Sequence, residues 1–407
     1  MFYGSIRYFW VTRNAQNMSL RGEIRFYKVA INRKDMQILN IRTALPNRGF
    51  TTEELMRLFP CSLSEGTREN ILNLGVSKRY LLTSRGVSLD HEALMDEKGL
   101  VDLCSAACSK ALKKSNLEGE DVDYLVVTYD ANPILSPGLS QLLIPNLSMD
   151  KYVKHVNVQG IASTAFPKAL ELAKDHLASH SQDHVLVCVS GMSSCWFQNQ
   201  VLGLKGVMDI KQIIALKNEY QKTQELRKWV ATIQFFLFGD GAAAVMVANE
   251  GEGFCFDGAV EVTNVSNTDY LAGISRLAIL DEPFRFGFYS HLDKEIPHLG
   301  VKYTRLALER LLGKNSAEIM KSVKKWAVHT GSGKILNALA EHNGVEPEKL
   351  KESHEVLANC GNLAGASLPF ILEKIASNNR LSEGDRVLMV GYGWGFSASA
   401  SLLEYRE

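Results

Sequence analysis

The chain contains an internal repeat, and this repeat constrains the fold more than any other feature of the sequence. Residues 157–193 align with residues 359–395 at one constant offset and without a gap. Matches at one offset indicate a duplicated unit and not two unrelated segments. The matched pairs are Ala162 with Ala364, Pro167 with Pro369, Leu170 with Leu372, Glu171 with Glu373, Asp183 with Asp385, Val185 with Val387, Leu186 with Leu388, and Gly191 with Gly393.

Each copy of the repeat predicts the same order of secondary structure. A turn of small residues is followed by a helix with proline in its first turn, a short loop, and an apolar strand that ends in glycine. The segments upstream, residues 123–130 and 324–331, each predict a buried strand before the turn. Strands as apolar as HVLVCVSG and RVLMVGYG are typical of a sheet covered on both faces. The sequence therefore predicts an α/β fold of two related halves around a pseudo-twofold axis.

The repeat also divides the chain. We expect an N-terminal extension at residues 1–36, a first half at 37–250 and a second half at 253–407. Residues 205–230 combine helical periodicity with many charges, which predicts a helical insertion in the first half. A solvated excursion, a lid over the site and a dimer arm are all compatible with it. The extension is basic and aromatic, with no acidic residue before Glu23, as in an organelle-targeting segment or an upstream translated extension.

The charge balance limits the classes of partner. Lysine plus arginine and aspartate plus glutamate number 45 each in the 407 residues, so the formal net charge is zero. This balance argues against bulk electrostatic binding to nucleic acid or to an anionic membrane. No apolar run approaches the roughly 20 residues that span a bilayer, so we expect no membrane span.

The seven cysteines predict a reducing compartment. Their odd number and scattered spacing do not suggest a disulfide framework. Cys104 and Cys108 lie on one helical pattern, but no second pair of metal ligands follows, so we interpret them as small core residues. The sequence thus predicts a cytoplasmic protein without a bound metal.

The turns that precede the two repeated helices are the best candidates for a functional site. Backbone N–H groups are free in such a turn, and the helix dipole favours developing negative charge there. The first turn contains Ser163, the second contains Asn362, and His329 ends the strand before the second turn. Each residue alone has a structural explanation, as a helix cap, a turn residue and a buried histidine. Together, at related positions in two copies, they predict one catalytic site between the halves.

Five segments resemble motifs of the thiolase superfamily, nearest to chalcone synthase-like type III polyketide synthases and ketoacyl synthase III enzymes. The resemblance covers nearly everything after residue 37 and implies a duplicated five-layer αβαβα fold and a homodimer. The segments are YVKHVNVQGIASTAFPKALELAKD (152–175), LFGDGAAAVMV (237–247), WAVHTGSGKIL (326–336), ANCGNLAGAS (358–367) and GYGWGFSAS (391–399).

The resemblance assigns the catalytic histidine to His329 and the catalytic asparagine to Asn362. At the nucleophile the chain departs from the family. Alignment on YVK and AKD without gaps places Ser163 where the family has cysteine. The alternative alignment, on QG, places Ile161 there and leaves no nucleophile.

The resemblance also implies a substrate pocket and a tunnel for pantetheine. Of two gating phenylalanines, one corresponds to Phe238 and the other to Ser290, while Trp196 replaces a smaller pocket residue and Gly393 belongs to the glycine-rich loop. Lys78 and Arg79, with Arg68 as a weaker candidate, resemble cations near the tunnel mouth; ordinary surface charge is the alternative. No permanently bound cofactor is implied, because coenzyme A (CoA) or an acyl carrier protein delivers the thioester.

Serine in place of cysteine changes the chemistry that we expect. A thiol with a pKa near 8.5 is partly ionised at neutral pH, whereas a serine hydroxyl is not, so Ser163 requires a base, for which His329 is the candidate. An acyl-serine is also a poorer electrophile for a carbanion than a thioester. We therefore predict an acyltransferase or condensing enzyme that acts through acyl-Ser163. The alternatives are a non-covalent decarboxylase or cyclisation-type enzyme that uses His329 and Asn362, and a non-catalytic partner subunit of a condensing enzyme.

Overall fold

A computed structural model describes residues 36–82, 97–129, 136–266, 268–277, 288–293, 295–313 and 316–407. The predicted extension at 1–36 lies outside these residues except for Met36. Among the described helices, none is long and apolar enough to cross a membrane.

The strands are β1 (Met36–Ala44), β2 (Gly49–Thr51), β3 (Lys78–Tyr80), β4 (Tyr124–Tyr129), β5 (Lys154–Val158), β6 (Val185–Gly191), β7 (Gly241–Ala248), β8 (Gly253–Phe256), β9 (Val260–Thr263), β10 (Gly273–Leu277), β11 (Phe288–Leu292), β12 (Lys325–Val328), β13 (Arg386–Gly393) and β14 (Ser397–Arg406). The helices are α1 (Thr52–Leu58), α2 (Glu65–Leu72), α3 (Glu97–Lys114), α4 (Leu139–Asn146), α5 (Ala165–Ser179), α6 (Ser194–Val201), α7 (Ile210–Ala215), α8 (Glu219–Leu237), α9 (Ile296–Leu312), α10 (Ser316–Ser322), α11 (Gly333–Asn343), α12 (Lys351–Cys360) and α13 (Ser367–Asn378).

One large mixed sheet unites the two halves of the chain. Its order is β12-β13-β14-β8-β1-β7-β6-β4-β5, with β9 also paired to β14. In each half a parallel pair is followed by an antiparallel strand: β4, β6 and β7 in the first half, and β12, β13 and β14 in the second. The halves join where β1 pairs with β8. The predicted α/β fold of two related halves is confirmed.

Alternate residues of the central strands face different layers, as expected for a pleated sheet. In β6, Val185, Val187 and Val189 pack with α5 and α13 in a shared inner core. Leu186 and Cys188 face the opposite side, against α3 and α4. In the second half, the outer face of β13 packs against α9 and α11. The helices α5 and α13 thus form a middle layer between the two half-sheets, with helices outside each.

The repeat is preserved in three dimensions. Short 3₁₀ turns at Ala162–Thr164 and Ala364–Ala366 precede α5 and α13. The matched glutamates make reciprocal contacts between the halves. Glu171 Oε1 accepts a hydrogen bond from the Ala259 N–H at 2.6 Å, and Glu373 Oε2 accepts one from Thr43 Oγ1 at 2.5 Å. Glu171 therefore ties α5 to the segment between β8 and β9 of the second half, and Glu373 ties α13 to β1 of the first half.

The segment predicted as a helical insertion, 205–230, contains α7 and the larger part of α8. The Asn218 side chain caps α8 by accepting from the Gln221 N–H at 2.9 Å. From Val230 onward the helix is buried, and it ends at Leu237 beside the candidate site. The charged part of α8 is therefore continuous with a buried part that enters the core.

Candidate active site

The turn before α5 has unusual backbone geometry. Gly160 has a φ of 83° and Ala162 a φ of 46°, so both lie in the left-handed region. This region costs an alanine roughly 1–2 kcal/mol, and strained residues of this kind gather at functional sites. The apex of the strained turn is Ala162, and Ser163 follows it at the start of the helical segment.

Ser163 is buried against the end of β13. A Cβ atom added to Gly391 would lie 2.8 Å from the Ser163 carbonyl oxygen, and one added to Gly393 would lie 3.0 Å from the Ser163 nitrogen. The side chain of Ser163 is 6% exposed. The two glycines therefore allow the turn of the first half to touch the last repeated strand of the second.

His329 is held at the end of β12 with its ring enclosed. Its N–H donates to the Val390 carbonyl at 2.9 Å, and its carbonyl accepts from the Tyr392 hydroxyl at 3.1 Å. The Tyr392 ring packs edge-on against the imidazole, with 5.2 Å between centroids. The Nδ1 atom is buried and has no hydrogen-bond partner in the described part of the chain. Burial lowers the pKa of His329 to about 3, so the imidazole is neutral at pH 7.

Asn362 lies between the end of α8 and the second 3₁₀ turn. Its N–H donates to the Leu237 carbonyl at 2.9 Å, and its carbonyl accepts from the Gly239 N–H at 3.1 Å. Asn362 and Phe238 thereby form an isolated parallel β-bridge. The Oδ1 atom accepts from the Ala364 N–H at 2.8 Å. This bond fixes the carboxamide, and the Nδ2 donor is the group left for a ligand.

Two sets of contacts connect these three residues. Thr330, next to His329, shares a 2.7 Å hydrogen bond with Ser367, whose Oγ accepts from the Leu363 N–H at 3.1 Å beside Asn362. On the other side, β13 contacts both His329 and Ser163. The structure thus places the three predicted residues on one connected scaffold. No hydrogen bond joins the described side chains of Ser163 and His329.

The arrangement favours stabilisation of an oxyanion or enolate. A neutral imidazole and a fixed carboxamide can both donate hydrogen bonds without bringing a charge into the site. Such donors are strongest in a buried, water-poor place, and His329 is 3% and Asn362 5% exposed. By contrast, the low pKa of His329 makes it a weak base toward a hydroxyl.

Asp240 was missed in the sequence analysis, although it lies in the LFGDGAAA segment. Its buried carboxylate accepts from the Leu82 N–H at 2.6 Å and from the N–H and hydroxyl of Ser194. Burial raises its pKa to about 6, against the opposing effect of these donors. Asp240 thereby fixes the loop after β3 and the start of α6 next to Phe238.

Phe238, one of the predicted pocket residues, packs against two aromatic side chains. The Phe238 ring contacts Phe197 at 4.8 Å and Trp394 at 6.2 Å between centroids. Trp196 is half-buried in α6, and Gly393 is buried beside the first turn. Ser290 lies in β11, and its side chain is outside what the structure describes. Trp394 was not singled out from the sequence, although it lies in the GYGWGFSAS segment directly after β13.

Trp394 also lines a small cavity of about 120 Å³. The cavity lies next to the strained turn, with Gly160, Ile161 and Thr164 on one wall, and the Lys168–Glu261 ion pair borders it. Trp394 therefore stands between this cavity and Phe238, which adjoins Asn362.

The three predicted CoA-binding cations differ in exposure. Arg68 is exposed on α2, and Lys78 is partly exposed on β3 with its ammonium 4.8 Å from the Tyr80 ring centre. Arg79 has no exposed surface, and its guanidinium donates to the Phe236 carbonyl. Burial lowers the pKa of Arg79 to about 9. The placement of Arg79 is that of a core residue, which corrects the prediction that it lies at a tunnel mouth.

Two cysteines and one cluster of histidines with an aspartate are the other reactive side chains considered from the sequence and the structure. Cys104 and Cys108 are fully buried in α3, which confirms them as core residues. The sequence predicted no metal, but the structure brings together three potential ligands that were not singled out: His176, His180 and Asp183. The visible signal was the spacing His-x₃-His followed by aspartate.

Comparison with known proteins finds sequence similarity to synthases. The model of the 3-oxoacyl-[acyl-carrier-protein] synthase III C-terminal family matches residues 316–405. The chain is 23% identical to 3,5-dihydroxyphenylacetyl-CoA synthase from Streptomyces toyocaensis, over 91% of this chain and 90% of that protein.

Two solved structures share the fold at low sequence identity. The C-terminal type III polyketide synthase domain of Steely1 from Dictyostelium superposes with a TM-score of 0.73 at 19% identity, covering 91% of this chain and 99% of that one. The 3-oxoacyl-(acyl carrier protein) synthase III from Xanthomonas oryzae pv. oryzae gives 0.67 at 18% identity, with coverage of 91% and 99%. The chain is thus similar in sequence, at low identity, to a polyketide-type synthase, and it shares the fold of the type III polyketide synthase domain and of the ketoacyl synthase III enzyme.

Proposed function

We propose that this chain is an acyl-thioester enzyme of the condensing type, in which His329 and Asn362 stabilise the negative charge that develops on a thioester oxygen. The observation that supports this most is the pair itself: a buried neutral imidazole and a carboxamide fixed through its Oδ1, connected through Thr330 and Ser367. Two of the proteins named above have a thioester in their names, 3,5-dihydroxyphenylacetyl-CoA in one and 3-oxoacyl-(acyl carrier protein) in the other, and we extend this class of thioester to the chain as its substrate class.

In the covalent form of this proposal, Ser163 is the acyl acceptor. Its hydroxyl oxygen would attack the thioester carbonyl and lose its proton, the C–O bond would form as the C–S bond breaks, and the leaving thiolate would take up that proton. The N–H groups of the turn before α5 would be available to the intermediate. The acyl group would then pass to water, an alcohol, an amine or a carbanion.

A non-covalent form is the second candidate, and two observations favour it. No hydrogen bond connects the described side chains of Ser163 and His329, and the strained apex of the turn is Ala162, which has no nucleophile. In this form, His329 and Asn362 would hold the enolate formed when a malonyl-type thioester loses carbon dioxide. Ser163 would then be a packing residue of the turn.

Intact-mass measurement separates the two forms. The protein is incubated with a panel of acyl-CoA thioesters from acetyl to lauroyl. An acyl adduct on wild type that disappears in Ser163→Ala supports the covalent form. The matched control is Thr164→Val, which removes a neighbouring hydroxyl already bonded to the Ile161 carbonyl at 2.7 Å and should keep the adduct. An equal adduct on Ser163→Ala would refute acyl-Ser163.

The CoA-binding part of the proposal rests on Lys78 and Arg68. Arg68 is exposed on α2, and Lys78 is partly exposed on β3 next to the buried Arg79, so the charges of Arg68 and Lys78 can reach phosphate groups outside the core. We also propose, from the family resemblance, that two copies of the chain form a homodimer. The charged part of α8 is available to such an interface.

A further inference from the structure

The end of α5 carries a cluster of potential metal ligands far along the helix from the strained turn. His176 and His180 are one helical turn apart, and Asp183 follows in the loop that leads into β6. The ligand atoms of the three residues all lie within 4.8 Å of one another. Two imidazoles one turn apart on a helix are a recurrent arrangement for binding zinc.

The geometry of the two imidazoles suits a shared ion. Their rings stack nearly parallel, at 3° and 4.3 Å between centroids, so both present an edge to the same side of the helix. His176 Nε2 is 2.8 Å from Asp183 Oδ2. Tetrahedral bonds of about 2.0–2.1 Å place neighbouring ligand atoms roughly 3.3 Å apart. Small ring rotations toward Asp183 would therefore complete three ligands.

The second nitrogen of His180 has the partner that metal-bound histidines usually have. His180 Nδ1 lies 3.2 Å from the His176 carbonyl and 2.9 Å from Ser179 Oγ. An Nδ1–H that donates to this carbonyl leaves Nε2 with a lone pair, which is the form that binds a metal. That lone pair now faces the exposed ammonium of Lys154 at 3.3 Å. An ion at this place would have to displace Lys154.

The second copy of the repeat provides an internal comparison. The positions equivalent to His176, His180 and Asp183 are Asn378, Ser382 and Asp385. There the aspartate is neutralised by Lys324 at 2.5 Å. The repeat thus keeps the aspartate in both copies, but only the first surrounds it with imidazoles.

We propose that His176, His180 and Asp183 form a site for a divalent transition-metal ion of the zinc class, with water as the remaining ligand. Two neutral imidazoles and one carboxylate are ligands that Zn²⁺ and Co²⁺ accept readily. The ion would connect the end of α5 to the loop before β6. The site is independent of the thioester chemistry proposed above, because none of its residues belongs to that site.

Titration with Co²⁺ followed by visible absorption tests the proposal on the full chain without a histidine tag. We expect one site per chain with tetrahedral-type bands, competed by Zn²⁺, and a rise in Tm with Zn²⁺. His180→Ala and Asp183→Ala should weaken binding at least about 10-fold. The control is His342→Ala, which removes an exposed histidine from the last turn of α11. Wild-type affinity in His180→Ala, or no saturable site in wild type, would overturn the proposal.

A variant that should bind the metal ion more tightly distinguishes loss of a ligand from loss of structure. Lys154→Met removes the ammonium that faces His180 Nε2, and it should tighten Co²⁺ binding by about 10-fold, the effect of one outer-shell contact. His180 and Lys154 are both exposed, so neither change should unfold the chain. An unchanged or weaker affinity in Lys154→Met would overturn the assignment of His180 Nε2 as a ligand.

Discussion

Ala162 and Ala364, at equivalent positions of the internal repeat, share a left-handed backbone, with φ of 46° and 49°. Each begins a 3₁₀ turn, and each turn packs on a glycine of the other half. A Cβ atom added to Gly393 would lie 3.0 Å from Ala162 Cβ, and one added to Gly191 would lie 3.4 Å from Ala364 Cβ. The duplicated halves are therefore interlocked by a pair of strained turns.

The strain predicts that glycine is tolerated at both alanines. Ala162→Gly and Ala364→Gly should each leave Tm unchanged or raise it, because relief of the left-handed backbone, roughly 1–2 kcal/mol, outweighs the added chain entropy of glycine, about 0.5–1 kcal/mol. Ala165→Gly, at the ordinary helical start of α5, is the control and should lower Tm. A fall in Tm for both test variants, equal to that of Ala165→Gly, would show that these turns are not strained.

Substitution of Gly393 and Gly191, the glycines that contact the two turns, should reduce stability by different amounts. Gly393→Ala should lower stability by about 1–3 kcal/mol and reduce activity, because its methyl group presses on the Ser163 nitrogen. Gly191→Ala should be worse, because its Cβ would meet the Leu363 carbonyl oxygen at 1.9 Å. Gly206→Ala, with no atom within 4 Å, should be neutral in urea denaturation. Equal effects at all three positions would contradict the close contact between the turns and strands.

The buried imidazole predicts a specific dependence of stability on pH. Burial depresses the pKa of folded His329 to about 3, below the value of about 6.5 in the unfolded chain. The folding stability associated with the neutral imidazole is therefore fully present above pH 6.5, and it is lost as the pH falls toward 3. Relative to His329→Gln, wild type should lose about 2 kcal/mol between pH 8 and pH 5. Parallel Tm curves for the two proteins over this range would refute a buried neutral His329.

The repeat allowed much of the fold to be predicted. Matched prolines and glycines predicted the order of turn, helix and strand, because these residues determine which backbone conformations are allowed at their own and neighbouring positions. The same local signals could not place Arg79, whose burial depends on Phe236 in a distant helix. Nor could they reveal that Ala162 and not Ser163 is the strained residue, since alanine has no conformational signature. His329 and Asn362 could be singled out because each lies at the end of a regular element, which is visible in the sequence, and their catalytic roles stay predictions.

The different placement of the three cations predicts different effects on acyl-CoA. Lys78→Ala and Arg68→Ala should raise the KM for acyl-CoA, by a few-fold each, because exposed charges contribute roughly 1 kcal/mol or less. Arg79→Met should leave KM within about twofold, because its guanidinium donates to the Phe236 carbonyl within the core. Steady-state kinetics with acyl-CoA and with the matching pantetheine thioester, which lacks the nucleotide phosphates, checks this. If Arg79→Met raises the KM for acyl-CoA but not for the pantetheine thioester, Arg79 binds a phosphate of CoA after all.

The central claim is that His329 and Asn362 form one site for thioester chemistry. Release of free CoA thiol from the acyl-CoA panel and of carbon dioxide from malonyl-CoA measures this directly in wild type, His329→Ala, Asn362→Ala and the surface control His342→Ala. We predict that wild type and the control release thiol or carbon dioxide, and that each site variant is at least about 100-fold slower, as for loss of one oxyanion donor. Wild-type rates in both His329→Ala and Asn362→Ala would contradict the claim.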